Sequence, residues 1–322
     1  MQRRDLIAGA LAWTSAAMLP TYAQGKPIRI LVGFPPGGSS DVLARVLAEG
    51  LRDKLDGPVL VENRAGAAGR VAVEILKSSP ADGTTLLVTP NVAVTLYPHT
   101  YKRLGYDAER DVKPVARLAT FPQLIGVGPK VPTSVKTVKD LITWFKANPN
   151  LAFYGSSAQG STPHFVGQML GKAAGVHLSH VSYKGDAPAV QDLIGGQIAM
   201  SVNPPAAQMP HVSSGRLRVL AVSGPERMKH LPDVPTLAES GYPIQTTDWF
   251  GVLAPSAMPA ATTQKVESAI KAAMATAAVR EGIEKLFLTQ DYLPAAQLAK
   301  DIRSESAHWA PIVKESGFLL DD

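Results

Sequence analysis

The chain has 322 residues, no cysteine and a formal net charge of +5, which excludes a disulfide framework, thiolate catalysis and thiolate metal ligation. The basic excess is mild and spread out, with no basic run interleaved with aromatics, so no nucleic acid is expected among the partners. At 45% hydrophobic residues the chain can bury ordinary cores, and its length suggests about two domains.

The N-terminus runs from Arg3-Arg4 through an apolar stretch, residues 6–20, to Thr21-Tyr22-Ala23. That order of basic, hydrophobic and small residues is a secretory signal peptide. The stretch is shorter than the roughly 20 residues that cross a bilayer, which argues against a membrane anchor. Cleavage is expected near Ala23, making residues 1–23 the leader, and the arginine pair also admits the twin-arginine export route.

Beyond the leader, short β-rich segments alternate with stretches of helical spacing, the signature of an α/β fold. Strands are predicted at 28–32, 59–61, 86–88, 151–154, 178–183, 198–202, 217–222 and 252–254. Helices are predicted at 40–55, 138–147, 165–174 and 189–194, with a helical C-terminal stretch over 262–317 whose apolar face carries Val266, Ile270 and Met274. Proline and glycine cluster at 126–132 and again at Tyr242-Pro243, which marks two crossings between lobes. Lobe one is therefore expected to hold 24–126 and 245–322, and lobe two 127–244, with a ligand cleft between them.

Two segments carry the chemistry. Phe34-Pro35-Pro36-Gly37-Gly38-Ser39-Ser40-Asp41 follows a strand and opens a helix whose buried face is Leu43, Leu47 and Leu51. Its glycines free backbone N–H groups, Ser39 or Ser40 is placed to cap, and a helix start carries unpaired donors with partial positive charge. Asp41 would compete with an anion for those donors and reads as a first-turn helix residue. The second segment, residues 155–164, contains Ser156, Ser157, Gly160, Ser161 and Thr162, with Thr162 placed to cap and Pro163 at the first helical position. Two such helix starts from different lobes can clamp one anion from both sides. A third loop, Tyr183-Lys184-Gly185-Asp186-Ala187-Pro188, adds polar groups at the cleft edge.

Catalytic readings fit less well. Neither serine loop matches the G-x-S-x-G nucleophile elbow, and the spacing of His164, His177 and His180 matches no zinc pattern, so each reads as a structural histidine. The Phe34 loop lacks the lysine of a P-loop and does not fit the dinucleotide fingerprint. No catalytic residue, metal or cofactor is expected.

In their order along the chain, Phe34 to Asp41, Val61-Glu62-Asn63-Arg64-Ala65-Gly66-Ala67-Ala68-Gly69, Ala81-Asp82-Gly83-Thr84-Thr85-Leu86-Leu87, the 155–164 loop, His180 to Gly185 and Leu231-Pro232-Asp233-Val234-Pro235-Thr236 resemble the tripartite tricarboxylate transporter substrate-binding proteins, the Bordetella uptake gene (Bug) family. The resemblance spans essentially the whole mature chain. It implies a type II periplasmic binding protein fold, two α/β lobes with the ligand in the cleft, and a monomeric receptor that is not an enzyme and passes a small carboxylate to a membrane permease of the tripartite tricarboxylate type. Carried over by residue, its first binding loop falls on Phe34, Gly37, Gly38, Ser39 and Ser40, and its second on Ser156, Ser157, Gly160, Ser161 and Thr162. Asn91 and Asn203, at strand ends, are expected to face the same cleft. The chain departs from the family at Ala65, commonly proline, and at Ala199, commonly aspartate. Two competing functions stand beside this one: a receptor that docks on a sensor kinase, and an exported serine hydrolase.

Overall fold

The computed structural model describes residues 26–321, so the expected leader lies outside the described residues. Eleven strands in this region form two sheets. Lobe one holds β1 (Ile28–Val32), β2 (Val59–Asn63), β3 (Thr85–Pro90), β4 (Val112–Phe121), β10 (Asp248–Pro255) and β11 (Thr289–Pro294), in the order β11-β4-β10-β3-β1-β2. Lobe two holds β5 (Leu124–Val127), β6 (Phe153–Ser156), β7 (Ser179–Ser182), β8 (Met200–Asn203) and β9 (Arg218–Val222), in the order β7-β6-β8-β5-β9. Strand β1 pairs in parallel with β2 and β3, and β6 pairs in parallel with β7 and β8. The strands that leave or enter by a crossing run antiparallel to their neighbours: β10 to β3 and β4, β5 to β8 and β9.

Each sheet is covered on both faces, which is why its inner strands read as unbroken apolar runs. On lobe one, α1 (Ser39–Gly50), α9 (Ala260–Met274) and α10 (Ala277–Lys285) close one face. Helices α2 (Arg70–Lys77), α3 (Val92–Thr95), α4 (Tyr97–Thr100) and α11 (Ala295–Ser316) close the other. On lobe two, α5 (Val138–Ala147) and α6 (Thr162–Ala174) cover one face, and α7 (Asp186–Ile194) and α8 (Pro205–Ser213) cover the other. The expected face of α1 is in the core: Leu43, Leu47 and Leu51 are at most 1% exposed, each contributing roughly 1.5–3 kcal/mol by burial.

The chain crosses between lobes at Pro122-Gln123, between β4 and β5, and again just before β10. Residues 124–126, expected in lobe one, pair in the lobe-two sheet instead, because the glycine cluster lies inside and after β5 rather than between the sheets. A third connection is not covalent. Phe165 on α6 packs near Trp309 on α11 and Phe318 beyond it, with ring centroids 5.9 and 5.6 Å apart.

Strand β4 escapes the period-2 pattern because it contains Lys113, Pro114 and Arg117. Pro114 is tolerated because β11 pairs only with 116–120, so its missing N–H faces no neighbour on that side. Arg117 is held at 14% side-chain exposure between Asp291, at 2.7 Å, and Asp301, at 3.0 Å. Strand β11 (TQDYLP) interrupts the expected C-terminal helical stretch; it is a polar edge strand without an alternating pattern.

Candidate functional site

In an open α/β sheet, the loops after the parallel strands gather on one side. Here those of β1, β3, β6, β7 and β8 from both lobes converge on the cleft. Between the lobes lies a cavity of about 40 Å³. Its apolar wall includes Phe34, Tyr97, Phe121 and Phe250, the last two stacked at 4.6 Å. Its polar lining is Ser40, Gln123, Ser157, Ser161, Asp186 and Asp248, with no lysine or arginine. That volume holds only a few water-sized groups. A wider chamber of about 480 Å³ lies on the other side of Phe34, Ser157 and Ala158, and there Arg70, Tyr101 and Lys184 contribute to the lining.

The first helix start differs from expectation in its cap. Gly38, not a serine, is the N-cap of α1, with no side-chain cap of its own. Instead the Asp186 carboxylate of lobe two takes that place. Ser39 donates its backbone N–H to Asp186 Oδ2 at 3.2 Å and its hydroxyl to the same oxygen, while Asp186 Oδ1 accepts from the N–H of Ala187 at 2.9 Å. One carboxylate thus sits at the starts of α1 and α7 together, where the helix dipoles favour negative charge. Gly38 is what lets it approach: a Cβ there would stand 2.7 Å from Asp186 Oδ1. Gly37, with φ near +85°, makes the turn.

Asp41 holds the loop in shape. Its carboxylate accepts from Gly37 N (2.9 Å), Arg45 Nε (3.1 Å) and Nη2 (2.9 Å), and Asn63 Nδ2 (2.9 Å). Burial alone would raise its pKa, but these bonds and the Arg45 charge bring it below the usual carboxylate value. Such a carboxylate has no capacity left for a solute.

The second helix start is organised the same way, with the lobes exchanged. Ser161, not Thr162, is the N-cap of α6, and Thr162 occupies the first helical position. The Thr162 hydroxyl is thereby free to reach Asp248 Oδ1 of lobe one at 2.7 Å. Gln123, in the first crossing, donates from Nε2 to Asp248 Oδ2 at 2.5 Å. Burial pushes the Asp248 carboxyl up, against the bonds from Thr162, Gln123 and Asn91 that favour its ionised form. Beside it, Glu305 on α11 accepts from Trp249 Nε1 at 2.7 Å and Asn91 Nδ2 at 3.3 Å. Burial, reinforced by the nearby Asp248 charge, pushes Glu305 up to about 7 despite those bonds.

Of the expected binding residues, the structure brings Phe34, Ser40, Ser157 and Ser161 to the cavity wall. Ser39 and Thr162 are engaged by aspartates of the opposite lobe. Gly37 and Gly38 shape the first turn. Gly160 faces away, its missing Cβ position lying 3.2 Å from Thr100 and 3.4 Å from Phe318 and Leu320. Ser156 is fully buried; its hydroxyl bonds Ala158 O at 3.1 Å and His180 Nε2 at 2.7 Å. Asn91 and Asn203 are at most 1% exposed and bond Glu305 and Ser201 within their own lobes. Ala199 lies in the core of lobe two, and Ala65 lines the outer chamber.

The histidines are placed as parts of the packing. The rings of His164 and His180 lie tilted against each other with centroids 4.3 Å apart, and burial pushes the two groups down to about 4 and about 3, the second also through its neighbour. His164 Nδ1 accepts from Gly160 N at 3.2 Å. A histidine that resists protonation this strongly is a poor base for the sealed Ser156 hydroxyl.

Sequence reasoning did not single out Gln123, Phe121, Phe250 or Asp248. Asp248 carried one available signal, an isolated acid directly before the Trp249-Phe250-Gly251 cluster at the second crossing.

Two α/β lobes joined by two crossings, with helix starts from both lobes lining a closed cavity between them, define a periplasmic binding protein fold. The chain belongs to the tripartite tricarboxylate transporter family receptors, whose family model, TctC, matches residues 43–318. It is 35% identical to Protein BugT of Bordetella pertussis, over 99% of both chains. Among solved structures it is similar to "Structure of periplasmic binding protein BugD" (29% identity, TM-score 0.85, covering 91% of this chain and 98% of that one). It is also similar to R. palustris Rpa4515 with adipate (29% identity, TM-score 0.86, covering 92% and 99%) and to MatC from Rhodopseudomonas palustris with bound malate (25% identity, TM-score 0.80, covering 90% and 99%). The family and the fold are those of substrate-binding proteins rather than enzymes.

Proposed function

We propose that this protein is an exported receptor that captures a small carboxylate between its lobes and delivers it to a membrane transporter of the tripartite tricarboxylate type. The observation that carries the reading is the convergence of two helix starts, one from each lobe, on one cavity where Ser40 and Ser157 present hydroxyls beside aromatic walls, while the Ser161 hydroxyl is given to Ala158 O. A carboxylate there is held by hydroxyl and helix-start donors, without a lysine or arginine. Relatives described with adipate and with malate support the solute class. Removal of a leader near Ala23 and action as a monomer belong to the same proposal.

The solute enters with the lobes apart and is enclosed as they close about the two crossings. A solute bound only by the folded protein raises the melting temperature. A thermal-shift screen of the purified protein against aliphatic and aromatic carboxylates is expected to give a dose-dependent rise with at least one of them. No rise with any acid at millimolar concentration would overturn the proposal.

A further inference from the structure

We infer that the solute carries a protonated amine close to its carboxylate, making the captured class amino acids and related amino-carboxylates rather than simple mono- or dicarboxylates; this rests on the receptor function proposed above. Both charged side chains that line the cavity are acidic, Asp186 from lobe two and Asp248 from lobe one, and no basic side chain shares the lining. They are 7% and 2% exposed, so water screens them little. A solute bearing only negative charge would close between two carboxylates with no compensating cation.

An independent observation points the same way. Gln123 is 2% exposed and lines the cavity, and its Oε1 has no hydrogen-bond partner among the described residues. The orientation of this amide is dictated by its surroundings, because the nitrogen must face the Asp248 carboxylate to donate. The atom left over is therefore an acceptor. Other buried amide oxygens also lack a partner, those of Asn91, Asn203 and Gln208 among them, but the one on Gln123 lines the cavity with two aspartates beside it, and it matches a group that has several N–H donors and positive charge. An ammonium fits both requirements. A carboxylate fits neither, and a hydroxyl offers a single O–H donor without the charge.

Asp186 is the discriminating residue. It is already held by Ser39 and by Ala187 N, so its carboxyl group stays fixed in position at the cavity edge whatever enters. Asp248 is less committed to a charge, since burial raises its pKa, and an ammonium alongside would hold it ionised.

The test is calorimetric titration of the purified, ligand-free protein with matched pairs that differ only in the amine: propionate against alanine and β-alanine, butyrate against 4-aminobutyrate, succinate against aspartate. In at least one pair the amine-bearing member is expected to bind ten times more tightly or better. Asp186→Asn keeps an acceptor for Ser39 but removes the charge. In this variant the ratio is expected to fall at least tenfold, with the circular-dichroism spectrum and unliganded melting transition confirming that it folds. If the amine-free acids bind as tightly as their partners or more tightly, the inference fails and the receptor function stands. If no member of any pair binds, the inference fails, and the receptor function is decided by the wider screen of aliphatic and aromatic carboxylates. An amine preference untouched by Asp186→Asn overturns the role given to Asp186.

Discussion

The contact between Thr162 and Asp248 joins the lobes through one hydroxyl, and Thr162→Val removes that hydroxyl with little change of shape. Thr162 is fully buried and donates to Asp248 Oδ1 at 2.7 Å. A hydrogen bond to a buried charged acceptor is worth about 1.5–3 kcal/mol, and its loss leaves the acceptor desolvated. Because Thr162 moves with lobe two and Asp248 with lobe one, that loss falls on closure and hence on solute affinity. It corresponds to roughly 10- to 100-fold weaker binding. Thr162→Ser retains the hydroxyl and is expected to bind within a few-fold of the original protein. With one donor gone, the Asp248 carboxyl is pushed further above its usual range, so the Val defect should grow as pH rises and the acid ionises. Calorimetric affinity of the three proteins between pH 5 and pH 8 checks both effects. Equal affinity of the Val variant and the original protein, or a Ser variant as weak as the Val one, would refute the reasoning.

Two further outcomes follow from the geometry of the cleft and its surroundings. Gly38→Ala places a Cβ 2.7 Å from Asp186 Oδ1 at a backbone φ of −77°, which any residue adopts, so it should weaken solute binding about tenfold or more while the melting temperature without solute changes little; a large loss of unliganded stability would contradict it. Glu305 moves from an ordinary 4.5 to about 7. The folded protein therefore binds this proton more tightly than the unfolded chain, and its contribution to stability is greatest at low pH and lost as pH rises from about 4.5 to about 7, on the order of 3 kcal/mol. Glu305→Gln should flatten the dependence of unfolding free energy on pH over that window, measured by denaturant titration. An unchanged slope would show that Glu305 is not the titrating group.

The sequence made the parallel strands legible because burial on both faces leaves continuous apolar runs. Strand β1 coincides with its predicted span, and β3 lies within two residues of its own. The charged β4 and the polar edge β11 were hidden because their residues are chosen for salt bridges and solvent. The same contrast holds in the cleft. Glycine and serine at helix starts announce a donor-rich turn, so the Phe34 and Ser157 loops could be found locally. What cannot be read locally is which acceptor those donors meet. Ser39 lies 147 positions from Asp186, and Thr162 lies 86 from Asp248. Local sequence therefore points to serine and threonine caps, whereas the structure supplies a carboxylate from the opposite lobe to Ser39 and to Thr162. Asn91 follows β3 and Asn203 is the last residue of β8, but strand-end position does not distinguish a cleft-facing amide from one turned into its own lobe.

The central claim is that hydroxyls at the two helix starts hold a carboxylate within the closed cleft. Ser40 and Ser157 line the cavity, and neither side chain has a hydrogen-bond partner among the described residues, so removing both hydroxyls should cost binding without costing fold. Calorimetric titration of the original protein and a Ser40→Ala, Ser157→Ala double variant, using whichever carboxylate raises the melting temperature most, tests this directly. Saturable one-to-one binding weakened at least tenfold in the double variant, with an unchanged unliganded melting temperature, is the expected result. Equal affinity in the two proteins would contradict the claim.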